Sequence, residues 1–179
     1  MNLAPRTVPA QLRGRRRHLD SNEMTDAAAQ LAVGLANLRP LLEQHGFGQR
    51  AGEETGQGSG GPFATATFVK DDRQLHLWLR GDSLSVTYRL GEQELDHATL
   101  MRELLGPGGP NEFPAYVGDA ELAFIALRHD LERFCNDFLA GTGDDFQRCA
   151  TAAEHATQLT GAQRLARTER ALKQKLGEQ

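Results

Sequence analysis

A glycine-rich segment near the middle of the chain contains five small residues that could surround a phosphate: Gly56, Gly58, Ser59, Gly60 and Gly61. Three of these glycines satisfy the GxGxxG pattern, which lets a pyrophosphate approach the first turn of a helix. The residues that follow, Phe63 to Val69, favour a strand, so no helix N-terminus would face the phosphate. We therefore predict a hairpin connection here, and a small-ligand or nucleotide site is the alternative.

Residues that often act as nucleophiles or metal ligands are present but lack catalytic spacing. Ser59 has no preceding strand and following helix of the kind that exposes a catalytic hydroxyl. His129 and Glu132, three residues apart on a predicted helix, would supply only two ligands, too few for structural zinc. Cys135 and Cys149 are predicted to be reduced, buried thiols. We expect no catalytic residue, no metal and no cofactor.

A second candidate site follows from strand alternation. In residues 74–80 and 84–90, apolar side chains alternate with polar or aromatic ones. If the apolar set faces the helices, four residues lie together on the opposite face of the sheet: His76, Trp78, Arg80 and Arg89. Tryptophan and arginine contribute disproportionately to binding at desolvated contacts. We predict a partner-binding face, and its alternative is that residues after Gly141 cover Trp78.

Helices and a sheet must position these residues. Leucines at helical spacing predict a helix from Asp26 to His45, and Pro40 predicts a kink or restart near Asn37 to Arg39. A second apolar stripe predicts a helix from Asp119 to Ala140, and His97 to Leu105 is predicted as a short helix. The strands have connections too short for parallel pairing. The predicted fold is therefore α+β, an antiparallel meander of three or four strands with the two main helices on one face.

The chain divides into three predicted regions. Residues 1–23 form a basic tail with five arginines and two acidic residues, and we expect it to be disordered. Residues 24–141 form the α+β domain, in which Phe47 to Glu54 is a short edge strand and Thr55 to Pro62 is a loop. Residues 142–179 form a C-terminal helical extension.

Composition restricts the function classes. The chain has 179 residues, two cysteines and no apolar run of about 18 residues, so we expect a cytoplasmic protein without a membrane span. Residues 24–140 carry nine basic and seventeen acidic groups. Such a surface repels phosphate backbones, so nucleic acid is a poor partner and a basic protein is a better one.

Several loop and core residues resemble those of a group of small bacterial α+β proteins of no known activity. The matching positions are Leu38 to Phe47, the run Gly58-Ser59-Gly60-Gly61-Pro62-Phe63-Ala64, Phe68, Tyr88, His97 and Met101. The resemblance spans roughly residues 30 to 140 and implies a fold grouping only. Such small acidic proteins are also similar to immunity proteins of bacterial toxin systems. The expected function is therefore that of a non-enzymatic, immunity-like binding protein.

Overall fold

A computed structural model describes residues 21–51, 54–81, 83–113 and 119–158, together with residues 166, 170 and 173. Its helices are α1 (Ser21–Gln44), α2 (His97–Leu105), α3 (Ala120–Phe134), α4 (Asn136–Ala140) and α5 (Asp144–Gln158). Its strands are β1 (Gly48–Gln49), β2 (Thr55–Gly58), β3 (Gly61–Lys70), β4 (Arg73–Arg80), β5 (Ser83–Leu90) and β6 (Gln93–Asp96).

The strands form one antiparallel sheet in the order β1-β3-β4-β5-β6, and β2 also pairs with β3. Two-residue turns join the hairpins, as the pairings Lys70 with Arg73 and Arg80 with Ser83 show. In the first of these turns Asp71 has a φ of 51°, the left-handed conformation that such turns favour. The predicted α+β meander is confirmed.

The predicted number of strands is wrong, because the sheet has six strands rather than three or four. Residues 55–58, expected to be a loop, pair along the first half of β3 despite their low strand propensity. Of the edge strand expected from Phe47 to Glu54, the described residues form only the two-residue strand β1. The pairing with β3 therefore overrides local preference at this edge.

The helices pack on one face of the sheet. Leu75, Leu77 and Leu79 of β4 are fully buried there in one continuous core with the apolar residues of the helices. Helix α1 contacts β3, α3 contacts β5, and the two helices pack against each other. The helices approach closely at Gly34, where a Cβ atom would overlap the ring of Phe124.

Two helix predictions need correction. Helix α1 begins at Ser21, so Asp26 lies inside the helix, and the helix continues unbroken through Pro40. The missing N–H of Pro40 falls on the exposed side of α1, where water can satisfy the carbonyl group. The helix predicted from Asp119 to Ala140 is interrupted at Cys135. This break lets Phe138 turn into the core, where its ring lies 5.1 Å from that of Tyr88.

Two cations of the β3–β4 hairpin hold the C-terminal end of α4. Lys70 donates to the carbonyl of Leu139 (2.8 Å), and Arg73 donates to those of Phe138 and Gly141 (both 2.6 Å). Positive charge at a helix C-terminus is favourable because the last carbonyls carry partial negative charge. Beyond this corner, α5 contacts α2, α4 and β6, and it contributes Phe146 to the core.

Some predicted regions lie outside the described residues, namely positions 1–20 of the basic tail and most positions after 158. Among the helices that the structure does describe, none has the length and apolar character needed to cross a membrane.

Candidate functional site

The face of the sheet turned away from the helices displays the outward residues of β3, β4 and β5. We call this surface the open face, and it comprises Thr65, Thr67, His76, Trp78, Arg80, Ser85, Thr87 and Arg89. Strand pairing fixes its rows, since Trp78 lies between Thr65 and Ser85, and His76 lies between Thr67 and Thr87. The structure places all four residues singled out from the sequence, His76, Trp78, Arg80 and Arg89, on this face.

Trp78 is the centre of an aromatic and cationic cluster at one end of the open face. Its side chain is 36% exposed, and the ring of Phe63 on the neighbouring strand lies 6.4 Å away. The guanidinium carbon of Arg80 is 5.8 Å from the Trp78 ring centroid, within the range of a cation–π contact. An aromatic ring and a cation are thus partly exposed side by side on the sheet.

The glycine-rich segment is the β2–β3 hairpin, and it borders the Trp78 cluster. A Cβ atom on Gly56 would lie 2.7 Å from the ring of Phe63, and one on Gly60 would collide with the guanidinium group of Arg80. These glycines therefore make room for side chains of the cluster. A strand, not a helix, begins at Gly61, so the segment lacks the helix N-terminus of a nucleotide-binding loop.

A polar depression of about 190 Å³ occupies the other end of the open face. It is lined by Arg50, Gln74, His76, Arg89, Glu94 and two threonines, Thr67 and Thr87. Nδ1 of His76 is 3.0 Å from the hydroxyl of Thr67, which leaves Nε2 as the ring nitrogen available to a ligand. Sequence reasoning missed Arg50, because its place beside β3 depends on the pairing of β1 with that strand.

Sequence reasoning also missed a row of hydrogen-bonded side chains in the core, Tyr88, His97 and Asp130, which we call the buried polar chain. The hydroxyl of Tyr88 is 2.6 Å from Nδ1 of His97, and Nε2 of His97 is 3.0 Å from Oδ2 of Asp130. The carboxylate of Asp130 also accepts from the backbone N–H groups of Glu112 (2.7 Å) and Phe113 (2.9 Å). The side chains thus join β5, α2, α3 and the loop before α3.

One sequence signal could have found this chain. Asp130 lies three residues after Leu127 and four before Phe134, so it falls inside the apolar stripe of α3 rather than on its polar face. An aspartate in such a position must find partners in the core.

Burial and hydrogen bonding shift the pKa values of two members of this chain, Asp130 and Tyr88. Burial works to raise the pKa of Asp130, but hydrogen bonds from His97 and from the backbone of Glu112 and Phe113 outweigh it and lower the pKa. Burial raises the pKa of Tyr88 well above its ordinary value, so the hydroxyl stays protonated. Each of the three side chains is at most 3% exposed. The chain resembles an acid–base relay in geometry, but it is enclosed, and its hydrogen bonds join β5, α2 and α3.

A cavity of about 280 Å³ adjoins His97. Its walls are mostly apolar and include Met101, Phe113 and the glycines of the segment after α2. Both ring nitrogens of His97 are engaged by Tyr88 and Asp130, so a ligand in this cavity would meet apolar surface rather than a reactive group.

The remaining ligand-type residues form exposed pairs or are buried. His129 is 2.8 Å from Glu112, and Glu132 pairs with Arg128, so His129 and Glu132 do not converge. In the described ranges no group of three His, Cys, Asp or Glu residues could hold a metal ion. Both cysteines are buried, and burial raises the pKa of Cys135 to about 12.

No family model, curated protein or solved structure matches this chain. Its function therefore has to be inferred from the geometry of the open face, the cavity and the buried polar chain.

Proposed function

We propose that the chain is a non-enzymatic protein-binding domain that binds its partner through the open face. The observation that carries the proposal is the contact of the partly exposed Trp78 with Arg80 on the open face of the sheet. Tryptophan and arginine are the residue types that most often dominate binding energy. Helix α5, the described helix that follows Gly141, contacts α2, α4 and β6.

The enclosed Tyr88–His97–Asp130 chain supports a binding role rather than an enzymatic one. An acid or base must come within hydrogen-bond reach of a substrate, and these groups are buried and already paired. Inhibitory binding of a toxin, as immunity proteins perform it, is one form of the proposed function. The basic partner that the acidic composition favours stays a prediction.

In the test, a displayed library of random twelve-residue peptides is selected for binding to the folded wild-type protein. The affinity of the selected peptides is then measured for the wild type and for its variants. Trp78→Ala should weaken binding by about 2 kcal/mol or more, roughly thirtyfold. Leu122→Ala is the matched control, because Leu122 is a 60% exposed apolar residue on α3. Peptides that bind Trp78→Ala as tightly as the parent, or that need Leu122 instead, would contradict the proposal.

Small-ligand binding is the second candidate, and the cavity beside His97 favours it more than the glycine-rich hairpin does. A volume of about 280 Å³ suits a small apolar molecule. Under this alternative, a fragment that fills the cavity raises the melting temperature by mass action. ATP, the probe for the hairpin, should leave the melting temperature unchanged.

A further inference from the structure

The polar depression carries more positive than negative charge. Arg50 approaches from the β1 side and Arg89 from β5, with His76 between them. No carboxylate among the described residues forms a salt bridge with either guanidinium group. Glu94, the cross-strand neighbour of Arg89, offsets one of the two charges at most.

We infer that this depression is a subsite for a carboxylate side chain of the protein partner, an inference that rests on the proposed function. Guanidinium groups bind carboxylates through paired N–H donors. Nε2 of His76 and the hydroxyl of Thr87 are further polar groups at the same depression. The depression therefore offers several donors to a single anionic group.

The chain's own terminal segments do not fit this subsite. Residues 1–20 contain five arginines and one aspartate, and residues 159–179 contain five basic and two acidic residues. Both segments would be repelled by Arg50 and Arg89. A second copy docked face to face would bring two arginine-bearing surfaces together, which disfavours a dimer through this face.

A nucleic acid would also supply anionic groups, but the rest of the domain opposes it. Residues 24–140 carry eight more acidic than basic groups, so a long polyanion would be repelled around the subsite. A carboxylate presented by a protein segment reaches the depression without placing a phosphate backbone along the acidic surface. The charge distribution therefore favours a single carboxylate on a protein segment over a nucleic acid.

The distance between the subsite and the Trp78 cluster limits how far apart the two contacting residues of the partner can lie. His76 and Trp78 are two residues apart on β4, which is about 7 Å along an extended strand. A partner segment that places an apolar side chain on Trp78 and an Asp or Glu in the depression needs the two residues close in its sequence. The expected recognition element is thus an apolar residue within a few positions of a carboxylate.

The test uses the peptides selected on the wild-type protein. They should be enriched in Asp and Glu relative to the unselected library, and replacing their carboxylates with amides should weaken binding at least tenfold. Arg50→Gln combined with Arg89→Gln should cause a similar loss, because both guanidinium charges disappear. Arg148→Gln removes one guanidinium charge from an exposed position on α5 and should leave affinity unchanged. Added salt should weaken wild-type binding.

The outcomes separate the inference from the proposed function. Peptides that need Trp78 but tolerate the double arginine variant would overturn the carboxylate subsite and leave the proposed function standing. Peptides indifferent to Trp78 would overturn the proposed function itself. A twelve-nucleotide single-stranded DNA that binds as tightly as the acidic peptides, with the same dependence on Arg50 and Arg89, would overturn the assignment of a protein carboxylate.

Discussion

Replacing Asp130 by asparagine should destabilise the domain by about 2–4 kcal/mol. The single side-chain oxygen of the asparagine can still accept from Glu112, but its NH₂ group would then face the N–H of Phe113 and Nε2 of His97, where a carboxylate oxygen now accepts from Phe113 at 2.9 Å. A buried donor left unpaired costs about 1–3 kcal/mol, and loss of the charge-assisted bonds adds roughly another 1 kcal/mol. This is a large fraction of a typical total stability of about 5–15 kcal/mol.

The measurement is urea unfolding of both proteins as a function of pH. Because the folded pKa of Asp130 is lowered, its stabilisation is fully present above the unfolded pKa, near 3.9. It is lost as the pH falls from there through the folded pKa. The difference between wild type and Asp130→Asn should therefore be constant near neutral pH and shrink in acid.

Glu132→Gln is the control for this experiment, because Glu132 is an exposed residue of the same helix and pairs only at the surface, with Arg128. Its effect should stay within about 0.5 kcal/mol. An Asp130→Asn protein as stable as the wild type at neutral pH would refute the hydrogen-bond assignment. A difference that grows in acid would refute the sign of the pKa shift.

Three further predictions concern the core. Gly34→Ala should destabilise by about 1–3 kcal/mol in urea unfolding, because the new methyl group overlaps the Phe124 ring; a gain in stability would contradict that close approach. Leu131→Asp should abolish the cooperative thermal transition, since it buries an unpaired carboxylate, and a melt at the parental temperature would contradict the packing of α3. Cys135, with a pKa of about 12, should resist iodoacetamide at pH 8 until urea unfolds the chain, as followed by mass spectrometry.

The sequence predicted best those elements whose signal is local. Helix α2 has the predicted bounds, His97 to Leu105, and Asp96 caps it by accepting from the backbone N–H of Thr99. The alternation in β4 and β5 identified the open face because side-chain direction in a strand depends only on position parity. These predictions needed no knowledge of which elements contact one another.

Features that depend on distant pairing were not predictable in this way. Strand β2 has few strand-forming residues and exists because β3 supplies its hydrogen-bond partners. His97 and Asp130 are 33 residues apart, and nothing in either local pattern shows that they meet. The polar depression likewise needs Arg50, which lies beside β3, and Arg89 of β5, so only the strand order brings them together on one face.

The hydrogen bonds from Lys70 and Arg73 to the end of α4 join residues that are far apart in sequence, which affects the order of folding. The hairpins from β3 to β6 close loops of two residues, whereas the bonds from these cations span 64 to 69 residues of chain. Contacts of such long sequence separation carry a large loop-closure entropy and form slowly. The meander can therefore assemble first, with the α4 corner docking late, and in native-state hydrogen exchange this corner should open at a lower free energy than the central strands.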